Sequence, residues 1–297
     1  MKLIVPDYYP AFRCIAGACR HSCCIGWEID VDADSMDRFR LVQGEMGRRL
    51  RENIDAENGC FRLGEGERCP FLNQQGLCDL ILELGEDSLC QICADHPRFR
   101  NFLSDRTEMG LGLCCEAAAE LILTREEPMR LITLEEDGEA QEMDTAFLAF
   151  RERLMVMAQD RGLPMERRVE NILRACGADM TIDYAAWEEL LMGLERLDDA
   201  WPAVLRRLEE PERPVEPRWE VPLEQLMCYL LFRHLAGALE DGDLQGRAVY
   251  CWLIWKLLRR MLRDDLPELA RLYSSEIEYS DENMDAILEK INDLLFG

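Results

Sequence analysis

The sequence has little positive charge and almost no lysine. Its 297 residues carry 59 acidic side chains against 34 basic ones, which gives a net charge of −25. Nucleic acids and anionic membrane surfaces both attract basic patches, so neither is expected as a partner. Only three of the basic residues are lysines: Lys2, Lys256 and Lys290. An arginine bias of this size is typical of genome composition and by itself indicates no function.

Long apolar runs are also missing. A membrane-spanning helix needs about 20 mostly apolar residues in succession, and the most apolar stretch, residues 249–258, contains Lys256. The first residues lack the apolar region of a secretory signal, because Pro6 and Asp7 follow only three apolar residues. These patterns predict a cytoplasmic protein, and in that compartment glutathione and thioredoxin oppose stable disulfides.

Cysteine, in contrast, is abundant and unevenly placed. Eleven of the fourteen cysteines lie between Cys14 and Cys115. Dense cysteines are typical of disulfides in secreted chains or of metal ligands in a reducing compartment. Two pairs are adjacent in sequence, and neighbouring cysteines bridge each other poorly, so metal coordination is favoured over disulfides. The remaining three lie in apolar helical patterns typical of core packing: Cys176, Cys228 and Cys251.

The cysteine spacing leaves the kind of metal open. Thiolates are soft donors that suit both zinc and iron–sulfur clusters. A structural zinc ion takes four ligands, and a cubane cluster takes four cysteines, or three with one iron left open. Cys90-Gln-Ile-Cys93 is a C-x-x-C pair, but the other spacings are unlike a zinc finger. The radical signature C-x-x-x-C-x-x-C is absent, because Cys23 is followed directly by Cys24.

Hydrophobic periodicity predicts a mainly α fold in two parts. Residues 1–125 form a cysteine-rich metal-binding region of loops and short strands, with one helix over residues 34–51, a second starting near Gly112 and a turn at residues 73–76. Residues 126–297 form an all-helical acidic body that carries −18 of the net charge, with one weakly indicated strand over residues 129–135. A proline-rich linker covers residues 211–217.

Helices in the second part are predicted from apolar steps of three and four residues. Asp32 or Asp34, Asp243 and Ser280 are expected as helix N-caps. The predicted helices cover residues 144–160, 165–176, 184–197, 202–209, 222–240, 243–263 and 281–296.

The cysteine motifs resemble those of the flagellin lysine-N-methylase family, which shares its pattern with small putative zinc- or iron-chelating proteins. The matching segments are Cys14-x4-Cys19-x3-Cys23-Cys24-x-Gly26-Trp27, Cys69-Pro70-Phe71-Leu72, Leu77-Cys78, Leu89-Cys90-x-x-Cys93, Pro97-Arg98 and Cys114-x-Glu116-Ala117. Weaker matches near Tyr229 and Tyr279 extend the resemblance over most of the chain. Nine cysteines match by position: Cys14, Cys19, Cys23, Cys24, Cys69, Cys78, Cys90, Cys93 and Cys114.

Four positions depart from the family pattern. Cys115 stands where the family is expected to have proline, and Leu113 replaces a serine. His96 replaces an aromatic residue before Pro97, and Cys60 is an additional cysteine. These departures leave the roles of Cys60 and Cys115 open.

The resemblance implies methyl transfer from S-adenosylmethionine to lysine side chains of flagellin or a similar protein. It also implies that the nine matching cysteines are metal ligands, with a 4Fe-4S cluster favoured over zinc, and it leaves open how many centres they form. No glycine-rich turn follows an apolar strand, so a nucleotide-binding Rossmann fold is not expected, and an open iron could instead hold the methyl donor. Two alternatives stay open: an iron–sulfur redox or radical enzyme acting on another substrate, and a non-catalytic zinc-binding interaction protein.

Candidate catalytic residues are carboxylates close to the cysteines. Lysine has an ordinary pKa of ~10.4, so methyl transfer requires a base or desolvation of the amine. Glu28, Asp30 and Glu116 are candidates for that base, although each is also an ordinary solvated acid. Trp27 could cover a cationic sulfonium or ammonium group, or pack beneath the cysteine loop.

Overall fold

The computed structural model describes residues 2–136 and 144–297, which divide into two compact units. Arg13–Arg98 form the cysteine-rich unit, and residues 2–12 together with Phe99–Gly297 form the helical unit. The boundary predicted near residue 125 therefore lies inside the helical unit, because the first strand and the segment after residue 98 belong to that unit.

The elements confirm a mainly α fold. The first part of the chain contains β1 (Lys2–Pro6), α1 (Ala33–Leu41), α2 (Gly44–Asn53), β2 (Ile54–Asp55), β3 (Cys60–Phe61), α3 (Asp79–Leu84), α4 (Gln91–Asp95), β4 (Arg98–Phe102), β5 (Arg106–Leu111), α5 (Glu116–Leu123) and β6 (Leu131–Glu136). The helices that follow are α6 (Thr145–Ala158), α7 (Met165–Ala175), α8 (Tyr184–Gly193), α9 (Trp201–Leu205), α10 (Glu220–His234), α11 (Ala238–Asp241), α12 (Leu244–Met261), α13 (Leu266–Tyr273) and α14 (Asp281–Phe296).

The cysteine-rich unit has a small core beneath two short helices. Phe39 of α1 and Leu50 of α2 are buried in it together with Phe61 and Phe71. The single helix predicted over residues 34–51 is wrong: the chain breaks between α1 and α2, where Val42 is extended and Gly44 has a φ of +72°. The break turns α2 back toward the same core, so both helices contribute apolar side chains to it.

The helical unit contains a four-stranded sheet with the order β4-β5-β1-β6. Strand β1 pairs with β5 in parallel and with β6 in antiparallel register, and β6 confirms the strand predicted over residues 129–135. Helices α10 and α12 are buried around most of their circumference and form the centre of the core. Among the described helices, none combines the length and the apolar character that a membrane span requires.

Most of the predicted C-terminal helices are confirmed, and one was missed. Asp32, Asp243 and Ser280 accept backbone hydrogen bonds as N-caps, as predicted. The missed helix is α13, which continues into a π-helical turn at Ser274–Glu278. The sequence at the start of α13 could have predicted this helix. Asp265 is an N-cap that accepts a hydrogen bond from the Glu268 N–H, and a proline follows in the first turn.

All three lysine ammonium groups have partners. Lys256 forms ion pairs with Glu166 at 2.8 Å and with Glu170 at 2.7 Å. Lys290 donates to the Ala186 carbonyl and lies 4.6 Å from the centre of the Trp187 ring. Lys2 lies 3.2 Å from Glu136.

A buried carboxylate, Glu278, joins the π-helical turn to α10. It accepts hydrogen bonds from Tyr229 at 2.7 Å and from Ser274, and it lies 2.6 Å from His234 Nε2 and 3.1 Å from Arg233. Burial raises the pKa of Glu278, but the Arg233 guanidinium and the bonds from His234 and Ser274 outweigh burial and hold the pKa at about 2.

We expect Glu278→Gln to lower the free energy of unfolding by about 3–5 kcal/mol at neutral pH, because the Arg233 charge is left buried without its partner. An unfolded glutamate titrates near pH ~4.3, so the native carboxylate stabilises the fold above that pH and the contribution is lost as the pH falls toward 2. Urea unfolding at several pH values measures both effects. The exposed Glu289→Gln is the control, and an equal acid dependence in both variants would contradict the assignment.

Candidate metal site

Five cysteines of the cysteine-rich unit lie in one core, although the chain delivers them from separate loops. Cys24, Cys69, Cys78, Cys90 and Cys93 all belong to or pack against the same cluster of buried residues. Two backbone links fix the loops: Cys69 N–H donates to the Cys24 carbonyl at 2.9 Å, and Cys78 forms a β-bridge with Leu72. The structure thus brings together thiols that lie far apart in the sequence.

The electrostatics of these thiols confirm their proximity. Burial raises the pKa of Cys69 to about 12, and the nearby charges of Cys24, Cys78 and Cys93 raise it as well. A hydrogen bond with Cys90, followed by burial, raises the pKa of Cys93. The opposite occurs at the adjacent pair, where a hydrogen bond from Cys23 lowers the pKa of Cys24 to about 7.

Clustered thiols in a largely apolar core are the donor set that a soft metal ion prefers, because the ion replaces their protons. All fourteen cysteines lie within the described ranges, and all are free thiols. In residues 2–136 and 144–297, however, no three histidine, cysteine or acidic side chains are arranged so that they could hold a metal ion. The thiols have the donor chemistry of a thiolate-bound centre, but the ligand roles of the nine cysteines stay predictions.

The first cysteine loop is more exposed than the others. Cys14 and Cys23 are exposed and Cys19 is half-buried. This loop reaches the Cys69–Cys78 loop through two glycines: a Cβ built on Gly17 would lie 2.6 Å from the Gln75 carbonyl oxygen, and one on Gly76 would lie 3.2 Å from Gly17 Cα. The two loops can approach this closely only because both residues lack a side chain.

Cys114 and Cys115 belong to the helical unit. The second helix predicted near Gly112 begins later, at Glu116, so both cysteines precede α5 and Cys115 is its N-cap residue. Burial raises the pKa of Cys114 to about 12, although a hydrogen bond with Tyr279 and the charge of Arg233 lower it. Sequence reasoning did not connect Tyr279 or Arg233 with Cys114, because no local pattern links residues so distant along the chain.

The candidate carboxylates occupy different surroundings. Glu28 and Asp30 are exposed on either side of the buried Ile29. Burial, and after it the charge of Glu28, raises the pKa of the Cys60 thiol. Asp30 forms a β-bridge with Cys60. Glu116 is half-buried at the first turn of α5 in the helical unit. The structure brings Glu28 and Asp30 to one cysteine, Cys60, which was not among the nine predicted ligands.

Trp27 packs against the first cysteine loop. Its indole N–H donates to the Cys23 carbonyl at 2.6 Å, and its ring lies 6.2 Å from the His96 ring, centre to centre. Burial lowers the pKa of His96 to about 4, so this imidazole is neutral at physiological pH. The indole thus fixes the carbonyl that precedes Cys24, which is the packing role that the sequence left open for Trp27.

Comparisons with known proteins give a distant similarity. Two proteins named "Lysine-N-methylase", from Salmonella typhimurium and Salmonella choleraesuis, are 25% identical to this chain over 134 residues. The "Flagellar biosynthetic protein FliU" of Salmonella muenchen is also 25% identical over 134 residues. The alignments cover 42% of this chain, 33% of each lysine-N-methylase and 79% of FliU. The match thus spans about a third of the length of the first two relatives. No protein-family profile and no solved structure matches the chain.

We expect Gly17→Ala to separate the two cysteine loops, because the added Cβ would meet the Gln75 carbonyl at 2.6 Å and backbone must move. Overpacking of this kind costs about 1–3 kcal/mol. Chemical unfolding measures the loss, and Gly193→Ala is the control because its Cβ would meet nothing within 4 Å. Equal stabilities of the two variants would show that the loops do not depend on this contact.

Proposed function

We propose that this protein transfers methyl groups from S-adenosylmethionine to lysine side chains of flagellin or a similar flagellar protein in the cytoplasm. The observation that carries the proposal is the similarity to proteins named "Lysine-N-methylase" and to the flagellar protein FliU over 134 residues. The cysteine motifs described above, which resemble the flagellin lysine-N-methylase family, agree with this similarity.

A thiolate-bound iron–sulfur cluster is part of the proposal. The proposed ligands come from the nine matching cysteines, which are more than one cubane cluster needs, and Cys24, Cys69, Cys78, Cys90 and Cys93 share one core. When bound, a cluster with an open iron would supply a coordination position for the polar groups of the methyl donor. The burial of these thiols supports the proposal, because protonated thiols in an apolar core become good ligands once a metal displaces the proton.

For methyl transfer, side chains of this protein must convert the ammonium group of the substrate lysine into a neutral amine. The proposed base is one of three carboxylates, Glu28, Asp30 or Glu116, each a few residues from a cysteine in the sequence. A carboxylate accepts the proton directly when it lies within hydrogen-bond reach of the ammonium group. Trp27 is proposed as an aromatic surface for a cationic group, since part of its ring remains accessible.

Purified protein incubated with methyl-labelled S-adenosylmethionine and flagellin should label flagellin lysines, as identified by mass spectrometry of peptides. Flagellin treated beforehand to block its lysines is the control and should stay unlabelled. Repeating the assay with Glu28→Gln, Asp30→Asn and Glu116→Gln identifies the base as the carboxylate whose loss lowers the rate by about 10²–10⁴-fold.

Other outcomes of this assay lead to other functions. Cleavage of the methyl donor without labelled lysine would indicate a redox or radical enzyme that acts on another substrate. A protein that leaves donor and flagellin unchanged, yet contains stoichiometric zinc, would be a non-catalytic metal-binding protein. Either result would overturn the proposed methyl transfer.

We expect Cys24→Ala to lose metal and to destabilise the cysteine-rich unit, because the free energy of metal binding is also folding free energy. Cys228→Ala is the matched control: this cysteine is fully buried in the core of the helical unit, so its loss should cost about 1–2 kcal/mol and leave the metal content unchanged. Metal analysis, visible absorbance and thermal unfolding measure these effects. Full metal content in Cys24→Ala would remove Cys24 from the ligand set.

A further inference from the structure

Polar side chains of α1 contact the backbone on both sides of Cys90. The Asp32 carboxylate, at the N-cap of α1, accepts a hydrogen bond from the Gln91 N–H at 2.8 Å. Arg38, on the same helix, donates to the Leu89 carbonyl at 3.1 Å. Leu89 and Gln91 are the two residues next to Cys90, so the helix fixes the peptide groups that flank this thiol.

Helix α2 makes a corresponding set of contacts with the loop that contains Cys69 and Cys78. Arg49 donates from one nitrogen to the Pro70 carbonyl at 3.2 Å and to the Asp79 carboxylate at 2.8 Å. Pro70 follows Cys69 and Asp79 follows Cys78. The other oxygen of Asp79 accepts from Asn73 at 2.9 Å, and Asn73 organises the turn between the two cysteines.

These contacts are held in place by partners of their own. Ser35, which is fully buried, donates to Asp32 at 2.7 Å and accepts from Arg38 at 2.8 Å, so the three side chains form one chain of hydrogen bonds. The Arg49 side chain is 27% exposed and the Asp79 side chain 19%. Charge-assisted hydrogen bonds between partly buried groups with fixed geometry are stronger than surface ones.

We propose that Asp32, Arg38 and Arg49 are positioning residues that set the places of the Cys90, Cys69 and Cys78 thiols for metal binding. The proposal rests on the metal centre of the proposed function, but it assigns a task to α1 and α2 that no cysteine motif describes. Replacing a residue that contacts a metal ligand, but not the metal itself, typically lowers metal affinity by about 10–100-fold.

The variant Asp32→Asn distinguishes the positioning of the Cys90 segment from the capping of helix α1. Asparagine is a good N-cap and can still accept from the Ser35 N–H. Its amide nitrogen cannot accept from Gln91, so we expect α1 to stay helical while the Cys90 segment loosens. Asp34→Asn is the matched control, since Asp34 is an exposed acid in the same first turn.

Arg49→Lys tests the second helix in the same way. Lysine keeps the positive charge, but it lacks the planar guanidinium that lies 5.5 Å from the centre of the Phe71 ring. Its ammonium group is therefore no longer held in a fixed position toward Pro70 and Asp79. Arg48→Lys is its control, because the Arg48 side chain is 55% exposed and pairs with acids of its own helix.

The readout is the rate at which each cysteine of the as-isolated protein is alkylated, followed by peptide mass spectrometry, together with metal affinity from chelator competition. Cys90 is fully buried and Cys69 is 6% exposed. We expect Asp32→Asn to raise the rate at Cys90 by about 10-fold or more, and Arg49→Lys to do so at Cys69 and Cys78, as local opening becomes easier. Metal affinity should fall about 10–100-fold in both variants and stay unchanged in both controls.

Comparing the alkylation rates of the individual cysteines distinguishes a positioning role from a general loss of structure. A rise at every cysteine of the unit, or no rise at the cysteines named, would overturn the proposal. A wild-type protein without metal would refute the metal centre instead, and the alkylation pattern would then still decide whether the two helices position these thiols.

Discussion

The cysteine-rich unit depends on packing thiols from separate loops into one small core. Its buried residues include Cys69 and Cys90 among only a few aromatic and aliphatic side chains, with Phe61 and Phe71 in an edge-to-face contact. Small units of this kind rarely reach sufficient stability through apolar burial alone, and natural ones add disulfides or metal ions. Since these cysteines are free thiols, the protonated thiol core is the part of the molecule where a bound metal would contribute most to folding.

The core of the helical unit, in contrast, contains buried charged side chains. Glu108 forms a buried ion pair with Arg151, and Glu224 lies between Arg161 and Arg168. Each of these acids is fully enclosed yet satisfied by guanidinium groups with several donors. A different packing of these elements would leave a buried charge without its partner, which is costly.

Local signals in the sequence predicted much of the fold. Apolar steps of three and four gave α6, α7, α12 and α14, and the caps Asp243 and Ser280 marked two of their starts correctly. The predictions failed where tertiary contacts override periodicity: the apolar pattern runs through the break at Val42 and Gly44 without interruption. The cysteine motifs indicated which thiols are candidate ligands, but not which of them share a core. They also did not show that Asp32 and Arg49 hold the cysteine loops, because contacts between residues 21 to 59 positions apart leave no local pattern.

The scarcity of lysine acquires a meaning under the proposed function. A catalyst that methylates exposed lysines is itself a potential substrate, present at the highest local concentration. Here each of the three ammonium groups is already engaged: by Glu166 and Glu170, by a backbone carbonyl over an indole ring, or by Glu136. At Lys256 burial is outweighed by the hydrogen bonds to Glu166 and Glu170, which raise the pKa, so this amine is kept as an ammonium ion without a free electron pair for nucleophilic attack. If the protein methylates lysines as proposed, its composition and these contacts leave few amines of its own open to the reaction.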